Sequence, residues 1–124
     1  MHARRGVVLQ LVFKLVRFRG RTTVHFIIRA TIPNSAGNKL VKGDMQATFD
    51  KIMADVKPEH VFFSVDRGQR TVYMVVNLQN SADMVRVAEP LWLALEAEVE
   101  CIPTMTAEEF GAAGASIAQV VSKY

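Results

Sequence analysis

With 124 residues, half of them apolar, the chain has room for one domain and one modest core. Its formal charge of +3 conceals a division: residues 1–21 carry six Lys and Arg and no acid, leaving nine basic against twelve acidic residues beyond them, so a strongly basic folded body is excluded. The single Cys101 excludes an internal disulfide and no Cys/His cluster has zinc spacing, both of which suit a reducing cytoplasm, the expected location.

Residues 1–22 read as a basic N-terminal extension, disordered or peripheral to the fold. Lys14 and Arg17 interrupt the apolar run and no small-residue cleavage site comes after it, so it is not a signal peptide. It is also too short and too charged to span a bilayer. Val8, Leu11, Val12, Leu15 and Phe18 share a helical face, so residues 1–21 keep a weak membrane-surface or nucleic-acid reading. A dispensable terminus, or a true translation start further along, is the simpler one. No membrane or nucleic acid is expected as a partner.

The domain proper is residues 23–124. "VHFIIRATI" (24–32) alternates as a strand and stops at Pro33, which has no N–H for a ladder. "NSAG" reads as a loop. Leu40, Val41, Met45, Phe49, Ile52, Met53 and Val56 recur at helical spacing to about residue 57, with Gly43 a weak point and Pro58 the stop. "HVFFSVD" (60–66) and "RTVYMVVNL" (70–78), joined through "RGQ", form a hairpin. Asn80 or Ser81 caps a helix from about 82, with a kink or restart expected at Pro90. "AEVECIPTM" (97–105) is the last strand, and Thr106 with Glu109 is a capping box opening a final helix that Gly111 and Gly114 weaken.

The order β-α-β-β-α-β plus a terminal helix is α+β and ferredoxin-like: a four-stranded antiparallel sheet with helices on one face. Phe26/Ile28/Ala30/Ile32, Val61/Phe63/Val65, Val72/Met74/Val76/Leu78 and Ala97/Val99/Cys101 form the more apolar side and should meet the helices. The other side gathers His25, Ile27, Arg29, Thr31, His60, Phe62, Ser64, Thr71, Tyr73, Val75, Asn77, Glu98, Glu100 and Ile102. Water would seldom face so many large apolar groups, so this open face is expected to close against a second copy.

Several stretches carry a family resemblance: "HFIIRATIP", "FFSVD…RTVYMVVNL", "AEPLWLAL" and "AEVECIPTMT", spanning 24–105. In order and spacing the chain resembles the dimeric α+β barrel superfamily. Its layout is similar to that of muconolactone isomerases, with an H-x-x-x-x-x-x-x-P first strand and a closing hydrophobic-Glu-Val strand, and closer to small uncharacterised bacterial proteins of that fold. The resemblance implies a homodimer joined through its sheets, with a cavity in each half. The superfamily holds isomerases, cofactor-independent oxygenases, heme-handling enzymes and plain ligand binders, and the fold does not choose among them.

Candidate chemistry gathers on the open face. His25 and Arg29 lie ~13 Å apart along one strand face. A neutral imidazole can act as acid or base, a guanidinium can fork a carboxylate, and Tyr73 and Asn77 can donate to a developing enolate. His25 and Arg29 are therefore the candidate catalytic pair. Tyr73, Asn77, Glu98, Glu100, Phe62 and Trp92 are candidates for contacting a small, anionic organic ligand, with isomerisation or cofactor-free proton transfer as the reaction. The competing reading pairs Arg29 with Glu98 or Glu100, leaves His25 merely hydrogen-bonded, and makes the protein a non-catalytic sensor or self-association module. Trp92 also reads as core or a lid. His60 reads as a solvated loop histidine and Cys101 as a small core hydrophobe. Gly37, Gly43 and Gly68 are isolated and form no phosphate cradle, so no cofactor or metal is expected.

Overall fold

The computed structural model describes residues 24–124. The reading of residues 1–22 as an extension therefore lies outside the described residues. Strand β1 (Val24–Thr31) leads into two helices, α1 (Asn34–Lys42) and α2 (Met45–Val56). The hairpin β2 (His60–Asp66) and β3 (Gln69–Leu78) comes next, then α3 (Asp83–Leu95) and β4 (Glu98–Thr104). Two short helices, α4 (Ala107–Ala112) and α5 (Gly114–Val121), close the chain. The strands form one antiparallel sheet in the order β2-β3-β1-β4, which is the ferredoxin-like arrangement.

Local chemistry accounts for the turns. Asp66 pairs with Gln69 across the hairpin, and Arg67 and Gly68 take φ of 54° and 77°. Two successive positive φ values make the two-residue type I′ connection, whose twist suits adjoining antiparallel strands. The "NSAG" loop proves to be the first turn of α1. Gly43 then divides the expected long helix, and Asp44 restarts it by accepting from the Ala47 N–H at 3.0 Å. Arg86 closes α2 from the neighbouring helix, donating through Nη1 to the carbonyls of Asp55 (2.8 Å) and Val56 (2.9 Å). Asn80 Oδ1 accepts from the Asp83 N–H at 3.2 Å, but the helix begins at Asp83 directly behind Ala82, so neither Asn80 nor Ser81 holds the N-cap position.

Pro90 neither ends nor restarts α3. Its ring removes one backbone donor, but Val87 and Ala88 before it and Leu91 and Leu95 after it are all buried against the sheet. Burial on both sides of the proline holds the helix as one piece. The capping box forms as expected: the Glu109 N–H donates to Thr106 Oγ1 at 3.1 Å and the Thr106 N–H to Glu109 Oε1 at 2.9 Å. The expected single terminal helix is instead two, α4 and α5, divided between Gly111 and Gly114.

The core lies between sheet and helices. Ile28, Ala30, Val72, Met74, Val76 and Leu78 meet Ile52, Val56, Val87, Leu91 and Leu95. Strand alternation thus divides the faces as the pattern implies, but burial does not follow it everywhere: Thr71 on the open face is buried. Phe63 and Val65 point to the helix side yet are 65% and 75% exposed, because the helix layer covers β1, β3 and β4 and stops short of the edge strand β2. No helix among the described residues is long and apolar enough to cross a membrane.

Candidate functional site

The open face is ordered by strand register into cross-strand rows. Asn77, His25 and Thr104 form one row, and His60, Val75, Ile27 and Ile102 the next. Phe62, Tyr73, Arg29 and Glu100 make the third, and Ser64, Thr71, Thr31 and Glu98 the fourth. An apolar band therefore crosses the face between two polar rows. Ile102 stands at its β4 end, 45% exposed, and Phe62 adjoins it from the next row, 60% exposed. Ile27, Phe62, Tyr73 and Val75 line a shallow depression of about 480 Å³ there.

His25 is clamped by two carboxylates. Its Nε2 lies 3.4 Å from Glu59 Oε2 and its Nδ1 2.9 Å from Glu109 Oε1. The second contact is a hydrogen bond only when Nδ1 carries the proton; an unprotonated Nδ1 faces the carboxylate with nothing to accept. Asn77 Nδ2 donates to the other Glu59 oxygen at 2.9 Å, so Glu59 joins two members of this row. Glu109 is held below the ordinary glutamate range, chiefly by the hydrogen bond from the Thr106 backbone and further by His25.

Arg29 belongs to a second group. Its Nε stands 3.6 Å from Asp66 Oδ2, and Tyr73 Oη donates to that same oxygen at 2.6 Å. The Tyr73 hydrogen bond is the main reason Asp66 sits below the ordinary aspartate range, with Arg29 adding to it. The same bond raises the Tyr73 phenol. Arg29 therefore does not pair with Glu98 or Glu100. Both acids share its face on β4, with Glu100 directly opposite, yet neither forms an ion pair with it among the described residues.

His25, Arg29, Tyr73, Asn77 and Phe62 thus come together on one face, with Glu98 and Glu100 along its β4 edge. Trp92 does not join them. It lies on α3, across the sheet from His25, and is 47% exposed beside the buried Leu91, so it is neither a lid over this face nor fully core. Three further members complete the site: Asp66 follows His60, Phe62 and Ser64 in the alternation of β2, whereas Glu59 precedes that strand and the capping box alone is reason enough for Glu109. Cys101 lies half-buried on the helix side, where burial raises its thiol and disfavours the nucleophilic thiolate.

Among the described residues, the buried Arg29 Nε and Asn77 Oδ1 have no hydrogen-bond partner, and His25 Nδ1 has one in Glu109 only when it carries the proton. All three lie on the open face. The carboxylates flanking His25 address opposite ring nitrogens and do not converge on a point. No group of three or more His, Cys, Asp or Glu among the described residues is placed to hold a metal ion. Compared with family models, curated proteins and solved structures, the chain matches none.

Proposed function

We propose that this chain is a self-associating binding module of the cytoplasm. Two copies close their open faces on each other as a dimeric α+β barrel, and the space between the sheets takes a small organic molecule. One observation carries the reading: the apolar band of Ile27, Val75 and Ile102, with Phe62 next to it, runs beside Arg29 Nε and Asn77 Oδ1, two buried polar atoms without a hydrogen-bond partner. Large apolar groups in contact with water and buried polar groups without partners are both costly, and a facing surface relieves both. The terminal helices support it too. Neither α4 nor α5 has a buried residue, while Phe110, Ile117, Val120 and Val121 are exposed.

The polar groups favour binding over turnover. Arg29, Asp66 and Tyr73 are engaged with one another, as are His25, Glu59 and Asn77. Glu98 and Glu100 add further negative charge, so an uncharged polar molecule suits this face better than an anion. A second reading keeps His25 as acid/base and Arg29 as anchor in proton transfer on a small anionic metabolite. It is favoured by Arg29 Nε, which stays beyond hydrogen-bond length of Asp66.

Native mass spectrometry of the protein purified from its own host tests the proposal. A dimer retaining a small mass is the expected result, and a monomer would overturn it. His25→Ala separates the two readings. Loss of dimer stability alone fits the binding module, whereas retained ligand binding with lost turnover fits proton transfer.

A further inference from the structure

A second cleft lies on the other side of the sheet, where the helix layer stops short of β2. It encloses about 620 Å³ between α1 and α2 on one wall and the hairpin on the other. That is the size of pockets that take small organic ligands. Its lining is apolar apart from a few groups: Leu40, Phe49, Met53, Val61 and Phe63 form the walls. Phe49 and Phe63 meet edge to face with ring centroids 5.4 Å apart, bracing the exposed Phe63 against α2.

One cation lines this cleft. Arg70 sits opposite Val65 near the hairpin turn, four residues along β2 from Val61, so the lining runs ~14 Å away from it. Its guanidinium makes one hydrogen bond, Nη1 donating to Asn38 Oδ1 at 3.1 Å. The arginine side chain packs over Gly37. A Cβ there would stand 2.6 Å from Arg70 Nη1 and 3.2 Å from its Cδ. Among the described residues Arg70 has no ion-pair partner. The one carboxylate in the lining, Asp50, is on α2 and accepts from Gln46 Nε2 at 2.9 Å.

We infer that this cleft binds an amphiphilic monocarboxylate, a molecule with an apolar chain or ring system ending in one carboxylate. Arg70 forks the carboxylate and the Phe49–Phe63–Met53 wall takes the apolar body. A planar guanidinium at one end of an apolar trough suits such a molecule, since two parallel N–H donors match two carboxylate oxygens and the rest of the wall offers no competing donor of that kind. The adaptable thioether of Met53 suits a chain of variable shape. The site is independent of the open face.

Decanoate is the probe, with decanol as its uncharged counterpart, each titrated into the full chain and followed by amide shifts. Decanoate should shift Leu40, Phe49, Met53 and Phe63. Arg70→Gln, which keeps a donor toward Asn38, should weaken decanoate about tenfold and leave decanol unchanged. Met53→Trp fills the trough without touching Arg70 and should abolish binding of both, a readout that stands even if the Arg70 variant does not fold. Equal affinity of wild type and Arg70→Gln for decanoate overturns the inference. So do shifts confined to Ile27 and Val75 on the open face, or no binding to folded protein. Cleft shifts that change with protein concentration alone would show a second copy in the trough and overturn it as well.

Discussion

Tyr73 donates its phenolic hydrogen to Asp66 at 2.6 Å across the hairpin, at the oxygen that Arg29 approaches from β1. One carboxylate oxygen thus ties β2, β3 and β1 together on the open face. The bond favours ionised Asp66, whose folded value is depressed, so its contribution to stability is present above the ordinary aspartate range and is lost as pH falls through the folded value. Tyr73→Phe should move the Asp66 carboxyl back up toward that range and narrow the loss of stability in acid. A pH titration of the Asp66 side-chain carbon by NMR reads the shift directly, and an unchanged titration would show that the hydrogen bond does not govern it.

Much of this architecture is legible in residue patterns, and the failures have physical causes. The hairpin is legible because alternation flanks Arg67-Gly68, and the capping box because Thr106 and Glu109 stand at the required spacing. The partner of Arg29 is not. Glu100 is directly opposite in register, but the arginine stem reaches past Tyr73 to Asp66 on a strand that does not adjoin β1. Alternation likewise tells that Phe63 and Val65 point toward the helices, without telling how far the helix layer extends. That limit hides the Arg70 cleft. Gly37 reads as an isolated loop glycine, and only the fold shows Arg70 packed over it.

Leu91 is fully buried beside Pro90, where α3 depends on packing more than on its own hydrogen bonds. Leu91→Ala should cost about 2–5 kcal/mol, a large share of the stability of a domain this size. Thermal or urea denaturation reads the cost. A loss below about 1 kcal/mol would mean that the helix shifts to refill the space.

Thr106 and Glu109 hold the start of α4, and Glu109 also faces His25. Thr106→Ala should destabilise that turn by about 1 kcal/mol. Glu109→Gln should lose both the charge opposite His25 and part of the cap. Because the folded value of Glu109 is depressed, its contribution is present above the ordinary glutamate range and fades as pH falls through the folded value. Amide exchange of residues 107–112 at neutral and acidic pH checks this. Protection that is equal at both would show that the cap does not depend on the carboxylate.

Ile27 stands at the centre of the apolar band, flanked by Val75 and Ile102. Its neighbours within the sheet leave it half-buried, so a charge at this position is tolerable in a single copy with access to water. Between two closed sheets the same charge would be stripped of water and face its own symmetry mate, a much larger penalty. Ile27→Glu should therefore leave a folded chain with normal circular dichroism and weaken self-association by at least about a hundredfold, roughly 3 kcal/mol. Sedimentation equilibrium across a range of concentrations gives the dissociation constant of each form. If variant and wild type sediment as the same dimer, the copies meet elsewhere, and the exposed apolar residues of α5 become the surface to charge next.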